Sequence, residues 1–291
     1  FGRTLYLAGS GPAAGGALVN NGATQLINTW TNVQLTGNAT LGGSQRVDLV
    51  RGTGATLNLN GFTLTKVGNN YSAIVSAAVS EGAIVVNGGL LSLTFGTLAN
   101  PGTSLFPVGV TPANSITVNN GGTFELYGAP TVPSGWKYNL NDGSTLNIAN
   151  AAANIASNAT VTGTARLLAG NSVTLNGVID GAGKLWLDGS AGATYTTTLN
   201  GASTYAGGTL LGGGRAALRN PGNRDLLVNA VAWLAGRDDL LAGSGAGREV
   251  GRLPRLSRAT VAAVGTVEAF AVPAAVAALG AWVVVRRRIR T

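Results

Sequence analysis

The sequence predicts a mostly β protein: a right-handed parallel β-helix (solenoid) over residues 1–214, then a short amphipathic helix and one C-terminal transmembrane α-helix. Three observations predict it. Glycine is abundant, at 45 residues, but has no every-third spacing, which excludes a collagen triple helix. Charged residues make up only 10% of a chain rich in Val, Leu and Ile, so it reads as neither a disordered tail nor a Gly/Ser linker. Short alternating apolar runs recur with turn residues between them, as strands with one buried face require.

The strands come in repeats. Residues 172–189 align with 196–213 at an offset of 24. Thr174-Leu175-Asn176-Gly177 recurs as Thr198-Leu199-Asn200-Gly201, Ala182-Gly183 as Ala206-Gly207, and Leu187 as Leu211. Asn176, Gly177, Asn200, Gly201, Gly207 and Gly208 are therefore the predicted repeat turns. Upstream, Thr56-Leu57-Asn58-Leu59-Asn60-Gly61, Ile84-Val85-Val86-Asn87-Gly88-Gly89, Ile116-Thr117-Val118-Asn119-Asn120-Gly121 and Asn141-Asp142-Gly143 share one plan. Each ends in Asn/Asp-Gly, whose glycine supplies the positive φ of a tight turn. An antiparallel sandwich or barrel also uses short strands and regular turns. The repeat favours a β-helix with one three-strand coil per ~24 residues, hence about nine coils and a rod roughly 40 Å long. Stacking would put Asn side chains of successive coils into hydrogen-bonded ladders.

The stretch Val178-Ile179-Asp180-Gly181-Ala182-Gly183-Lys184-Leu185-Trp186-Leu187-Asp188-Gly189, followed by Leu199-Asn200-Gly201-Ala202-Ser203-Thr204-Tyr205-Ala206-Gly207-Gly208-Thr209-Leu210, resembles the autotransporter-associated β-strand repeat. That resemblance implies a passenger-type parallel β-helix, exported and displayed at a bacterial surface. The chain begins at Phe1 with neither an initiator Met nor a basic-then-apolar signal segment, so the expectation is a fragment or processed form.

Composition breaks near residue 214. Residues 1–214 carry seven Lys/Arg against six Asp/Glu; residues 215–291 carry twelve Arg against five Asp/Glu. Residues 215–258 read as a linker containing an amphipathic helix over 223–235, with Leu226, Leu227, Ala230, Val231 and Leu234 on one face. Residues 259–285 read as a transmembrane helix: from Ala269 to Val285 there is no charge, and a bilayer core of ~30 Å needs roughly 20 helical residues. Trp282 sits where an interfacial aromatic belongs, and Arg286, Arg287, Arg288 and Arg290 form the basic tail, residues 286–291. These five residues are the expected membrane anchor. They favour a cytoplasmic C-terminus and an extracytoplasmic β-helix on a single-pass bacterial membrane protein. The run Gly222-Asn223-Arg224-Asp225-Leu226-Leu227-Val228-Asn229-Ala230-Val231-Ala232-Trp233-Leu234-Ala235-Gly236, together with the basic linker, apolar span and basic tail after it, resembles the end of the auxiliary component of gliding-motility-type ABC transporters. That resemblance implies a permease partner and an extracytoplasmic domain before the last span.

Chemistry is constrained by what is missing. The chain has no Cys, His or Met, which excludes disulfides, thiol-based metal sites, imidazole ligands and a Ser-His-Asp triad. Glycan-cleaving β-helices would need several of Asp48, Glu81, Glu125, Asp142, Asp180 and Asp188 together at one level of the rod. Asp142, Asp180 and Asp188 instead stand beside turn glycines, where Asp is ordinary. Basic residues flank or follow an apolar segment and do not form an aromatic-laced patch, so nucleic acid is not an expected partner. The expectation is a non-enzymatic, structural or adhesive surface protein without a cofactor, its partners the lipid bilayer and surface glycans or proteins. The alternatives are an auxiliary subunit of an ABC-type export or gliding system and, third, a glycan-active β-helix enzyme.

Overall fold

The computed structural model describes residues 4–27, 29–102, 114–189 and 195–212. They form a right-handed parallel β-solenoid of about eight turns. Every strand ladder is parallel, which rules out the antiparallel sandwich or barrel for these residues. The predicted helix over 223–235, the span over 259–285 with Trp282, and Arg286, Arg287, Arg288 and Arg290 lie outside the described residues. Among the described residues no helix is long and apolar enough to cross a membrane.

Three sheets run along the rod. The first stacks Thr4–Gly9 on the start of Asn32–Gly43, then on the ends of Val47–Asn58 and Tyr71–Val79, and on Thr97–Leu98. In the later coils this role passes to Ala153–Ile155, Val173–Leu175 and Thr197–Leu199. The second joins the latter part of Asn32–Gly43 to Thr63–Lys66, Ala83–Val86, Ser115–Val118, Lys137–Leu140, Asn158–Val161 and Ile179–Asp180. The third runs from the start of Val47–Asn58 through Tyr71–Val79, Gly89–Thr94, Gly122–Tyr127, Thr145–Ala149, Thr164–Ala169 and Lys184–Gly189 to Thr209–Leu211.

Alternation explains the core. In Thr164–Ala169 every second residue, Ala165, Leu167 and Ala169, is buried. The inward positions of all three sheets build one apolar column that includes Leu35, Leu57, Ile84, Ile116, Phe124, Leu146 and Leu187. Each buried Leu, Ile or Phe contributes roughly 1.5–3 kcal/mol relative to exposure, and the stacked backbone hydrogen bonds fix the register.

The coil length is not constant, and here the expected period needs correction. The offset of 24 holds where the sequence repeat was found, with Thr174 beside Thr198, Leu175 beside Leu199 and Leu187 beside Leu211. Elsewhere partners lie 19 residues apart (Tyr71 and Leu90), 20 (Ala153 and Val173) or 33 (Gly89 and Gly122). Uneven coils also explain why about eight turns are found where a uniform period suggested nine. One corner nevertheless repeats. Ser76, Phe95, Gly128 and Asn150 follow register-aligned residues of the third sheet, and all have positive φ (52°, 51°, 74° and 67°). A single left-handed residue thus turns the chain from the third sheet toward the first, coil after coil.

Candidate functional site

Two Asn ladders line the outside of the rod. Asn200 Nδ2 donates to Asn176 Oδ1 (2.7 Å), and Asn176 Nδ2 donates to Asn154 Oδ1 (2.6 Å). Asn141 Nδ2 donates to Asn119 Oδ1 and Asn119 Nδ2 to Asn87 Oδ1, both at 2.6 Å. Three of the four upstream Asn/Asp-Gly echoes therefore stack at one corner, after the second sheet. The fourth, ending at Gly61, follows a strand of the first sheet instead. There Ser80 Oγ donates to Asn58 Oδ1 (2.8 Å).

The predicted repeat-turn glycines act by two different means. Gly208 has φ of 78° and open space where a Cβ would stand. Gly177, Gly201 and Gly207 are needed for close approach and not for positive φ, which corrects the sequence reading. A Cβ on Gly177 would lie 2.0 Å from the Ser157 carbonyl oxygen, and one on Gly201 would lie 2.1 Å from that of Gly177. On Gly207 it would meet the Gly183 backbone at 2.5 Å. Successive corners touch backbone to backbone.

The acidic residues are dispersed. Asp48, Ala73, Ser92, Glu125, Asn147, Leu168 and Asp188 occupy one register row of the third sheet. The three carboxylates in that row are three coils apart, ~14 Å at ~4.8 Å per coil. Paired glycosidase carboxylates stand ~5–9.5 Å apart. Several of the acids also have a local task. Asp142 Oδ1 accepts from the Thr164 amide (2.6 Å), Asp180 accepts from the Thr160 hydroxyl, and Glu125 Oε2 accepts from Asn147 Nδ2 (2.7 Å). Glu81 is fully buried. Among the described residues no group of three or more acidic side chains could hold a metal ion.

Three polar clusters escaped the sequence reading. Asp48, fully buried, accepts from Arg46 Nε (2.8 Å) and Arg51 Nη1 (2.8 Å), while the Arg46 guanidinium lies 4.6 Å from the centre of the Tyr71 ring. The bond to Asp48 is the main cause that raises the Arg46 pKa above its ordinary value. Arg46 stands one residue before the strand Val47–Asn58, and its two-residue spacing from Asp48 in extended backbone would have shown that they share a face. Arg166 pairs with Asp188 and lies 4.9 Å over the Trp186 ring, across a coil boundary that no local spacing reveals. Lys66 takes an inward position between Leu41 and Val86, fully buried. Its Nζ donates to the carbonyls of Val67 (2.8 Å), Gly68 (3.0 Å) and Gly88 (3.3 Å), and burial pushes its pKa down to about 8. Burial also pushes the Tyr138 phenol up.

The first sheet also carries a surface groove. An open groove of about 350 Å³ crosses its outside, lined by Thr56, Asn58, Ala78, Ser80 and Thr97 among others. Ala78 is the low point between Thr56 and Thr97 in one register row. Part of this polar lining is already organised, because Thr56 Oγ1 donates to Asn32 Oδ1 (2.9 Å). No protein-family model, curated protein or solved structure matches this chain.

Proposed function

We propose that this chain is a non-enzymatic β-helix protein of the bacterial cell surface, held at a membrane by its C-terminal segment, with a structural and adhesive role. The observation that carries this reading is the solenoid with an outer groove on the first sheet, in which Thr56, Asn58, Ser80 and Thr97 set hydroxyl and amide groups among apolar residues. Such a surface suits hydrogen bonding to surface glycans or proteins and requires no cofactor. The carboxylates of Asp48, Glu125 and Asp188 add support, since they stand three coils apart in their row, wider than the separation hydrolysis needs. The 17 uncharged residues from Ala269 to Val285, followed by Arg286, Arg287, Arg288 and Arg290, support single-pass anchoring with the solenoid outside and the C-terminus in the cytoplasm.

The resemblance of residues 222–236 to ABC transporter auxiliary components favours a second reading, a subunit bound to a permease. Fractionation of the full-length protein in a bacterial host, with protease treatment of spheroplasts, tests the first. A membrane-bound solenoid digested from outside is the expected result. A soluble solenoid, or one protected inside the spheroplast, would sink the proposal. Stoichiometric co-purification with a permease would move the assignment to the second reading.

A further inference from the structure

In the two Asn ladders, Asn119, Asn141, Asn176 and Asn200 each spend Nδ2 on the preceding coil. On the first sheet Asn58 is held by its carbonyl instead. Its Oδ1 accepts from the Ser80 hydroxyl (2.8 Å) and from the Asn60 amide (3.1 Å). Ser80 Oγ in turn accepts from the Leu59 amide (2.6 Å). The carboxamide is thus oriented from one side, and among the described residues no partner takes its Nδ2 hydrogens.

That amide lines the groove on the outside of the first sheet. Thr56, Ala78 and Thr97 cross it in one register row, all three exposed, and Asn58, Ser80 and Ala99 stand two residues further along the same coils. The two alanines form the floor. Neighbouring strands lie ~4.8 Å apart, so Thr56 and Thr97 face each other across Ala78 at ~10 Å. The volume of about 350 Å³ is at the low end for small-molecule sites, ~300–1,000 Å³. No lining residue carries a charge, which favours a neutral ligand. A specific protein interface needs ~800 Å² per partner and an apolar anchor, and among the described residues no large hydrophobic side chain is exposed in this groove.

We propose that this groove is a binding site for a neutral N-acetylhexosamine glycan, which it holds by an acetamido group. Such a group brings a carbonyl acceptor, an N–H donor and a methyl together in one plane. Asn58 Nδ2 donates to the carbonyl oxygen. The threonine hydroxyls on either side of Ala78 can accept from the N–H, and the methyl rests on Ala78 between the threonine side chains. Because Asn58 is already oriented by Ser80 and Asn60, little side-chain ordering is left to pay on binding. The role of this site rests on the adhesive-surface reading, to which it adds the class of glycan.

The test is calorimetric titration of the full 291-residue chain in a sugar-free detergent. The probe is N-acetylchitohexaose, and the control is cellohexaose, the same backbone with hydroxyls in place of the acetamido groups. N-acetylchitohexaose should bind saturably and cellohexaose roughly ten-fold more weakly. Asn58→Asp keeps the acceptor for Ser80 and Asn60 but removes the Nδ2 donors, and should weaken binding by roughly ten-fold. Ala78→Gln fills the floor and should abolish binding. Thr145→Gln, on the third sheet, should leave it unchanged. Unchanged β-sheet circular dichroism in Asn58→Asp and Ala78→Gln excludes misfolding as the cause of a loss. No binding of N-acetylchitohexaose would overturn the proposal. So would equal affinity for cellohexaose, or binding indifferent to both Asn58→Asp and Ala78→Gln. Binding by a protein that fractionates as soluble would keep the site and remove the surface role, whereas an anchored, externally digested solenoid that binds no N-acetylchitohexaose would do the reverse.

Discussion

In the coils before residue 100, single charged side chains are buried, each in its own surroundings. Asp48, Lys66 and Glu81 are all fully buried there, and long strands such as Asn32–Gly43 and Val47–Asn58 run through corners from one sheet into the next. In the coils after residue 130 the strands are two to six residues long, and the buried polar residues are Ser144, Ser157 and Thr197. There the corners rely chiefly on repetition, Asn against Asn and glycine against backbone, devices that Gly42, Asn87 and Gly89 already use earlier in the chain. The two halves reach the same rod by different means. The first half depends on unique contacts that cannot be spread over neighbours; the second depends more on contacts that recur from coil to coil.

The contrast is broken most strongly at Asp48. Arg46→Ala with Arg51→Ala leaves that carboxylate buried without either guanidinium, and an uncompensated buried charge costs about 3–5 kcal/mol. Denaturant unfolding of the double variant should show this loss. Each single substitution should cost less than half as much, because the other arginine remains in place. Hydrogen exchange should quicken in the coils around residues 47–75 and leave those after 130 unchanged, as nearest-neighbour coupling in a solenoid requires. Loss spread evenly over the rod would show that the halves are one cooperative unit.

In the second half the sharpest break is steric. Gly177→Ala drives a Cβ to 2.0 Å from the Ser157 carbonyl oxygen, and backbone on both sides leaves little room to give. Overpacking of this kind costs about 3 kcal/mol. Gly208→Ala meets nothing within 4 Å and bears only the left-handed backbone penalty, about 1–2 kcal/mol. Equal losses at the two sites, measured by thermal unfolding, would deny that close approach is what glycine provides at Gly177.

Lys66 separates the halves by pH. Its folded pKa of about 8 lies below the ordinary 10.5, so the unfolded chain holds the proton more tightly. Stability should therefore rise as pH climbs from about 8 to about 10.5, and the full burden of the buried charge applies below pH 8. Lys66→Met, similar in length and apolar, should remove that rise. A slope that survives the substitution would assign it to other groups.

These features differ in how far the sequence shows them. The Asn176/Asn200 repeat was visible because residues 173–199 close a coil of 24, so identical residues fall at identical offsets. The ladder of Asn87, Asn119 and Asn141 was visible only as a shared local plan. Its coils are 32 and 22 residues long, which hides the register from any fixed period. The left-handed corner at Ser76, Phe95, Gly128 and Asn150 was not legible at all. Four different residue types occupy it, and only one is the glycine that a turn reading looks for. Arg166 with Trp186 and Asp188 was hidden for a related reason. The contact joins residues about 20 apart, and that separation is set by the local coil length and by no motif.

The smallest expected effect bears on how repetition stabilises. Both Asn ladders run one way, with the later coil donating to the earlier. The middle members, Asn119 and Asn176, each donate one bond and accept another, whereas Asn87, Asn141, Asn154 and Asn200 each take part in one. At about 0.5–1 kcal/mol per exposed amide bond, Asn119→Ala should cost about twice as much as Asn87→Ala or Asn141→Ala, and Asn176→Ala about twice Asn154→Ala or Asn200→Ala. A double-mutant cycle between Asn119 and Asn141 checks the origin of the effect. Once Asn119 is removed, Asn141→Ala should lose nearly all of its own cost, since the bond it supplied is already gone. If the two costs simply add, this ladder is a consequence of stacked coils and not a cause of their register.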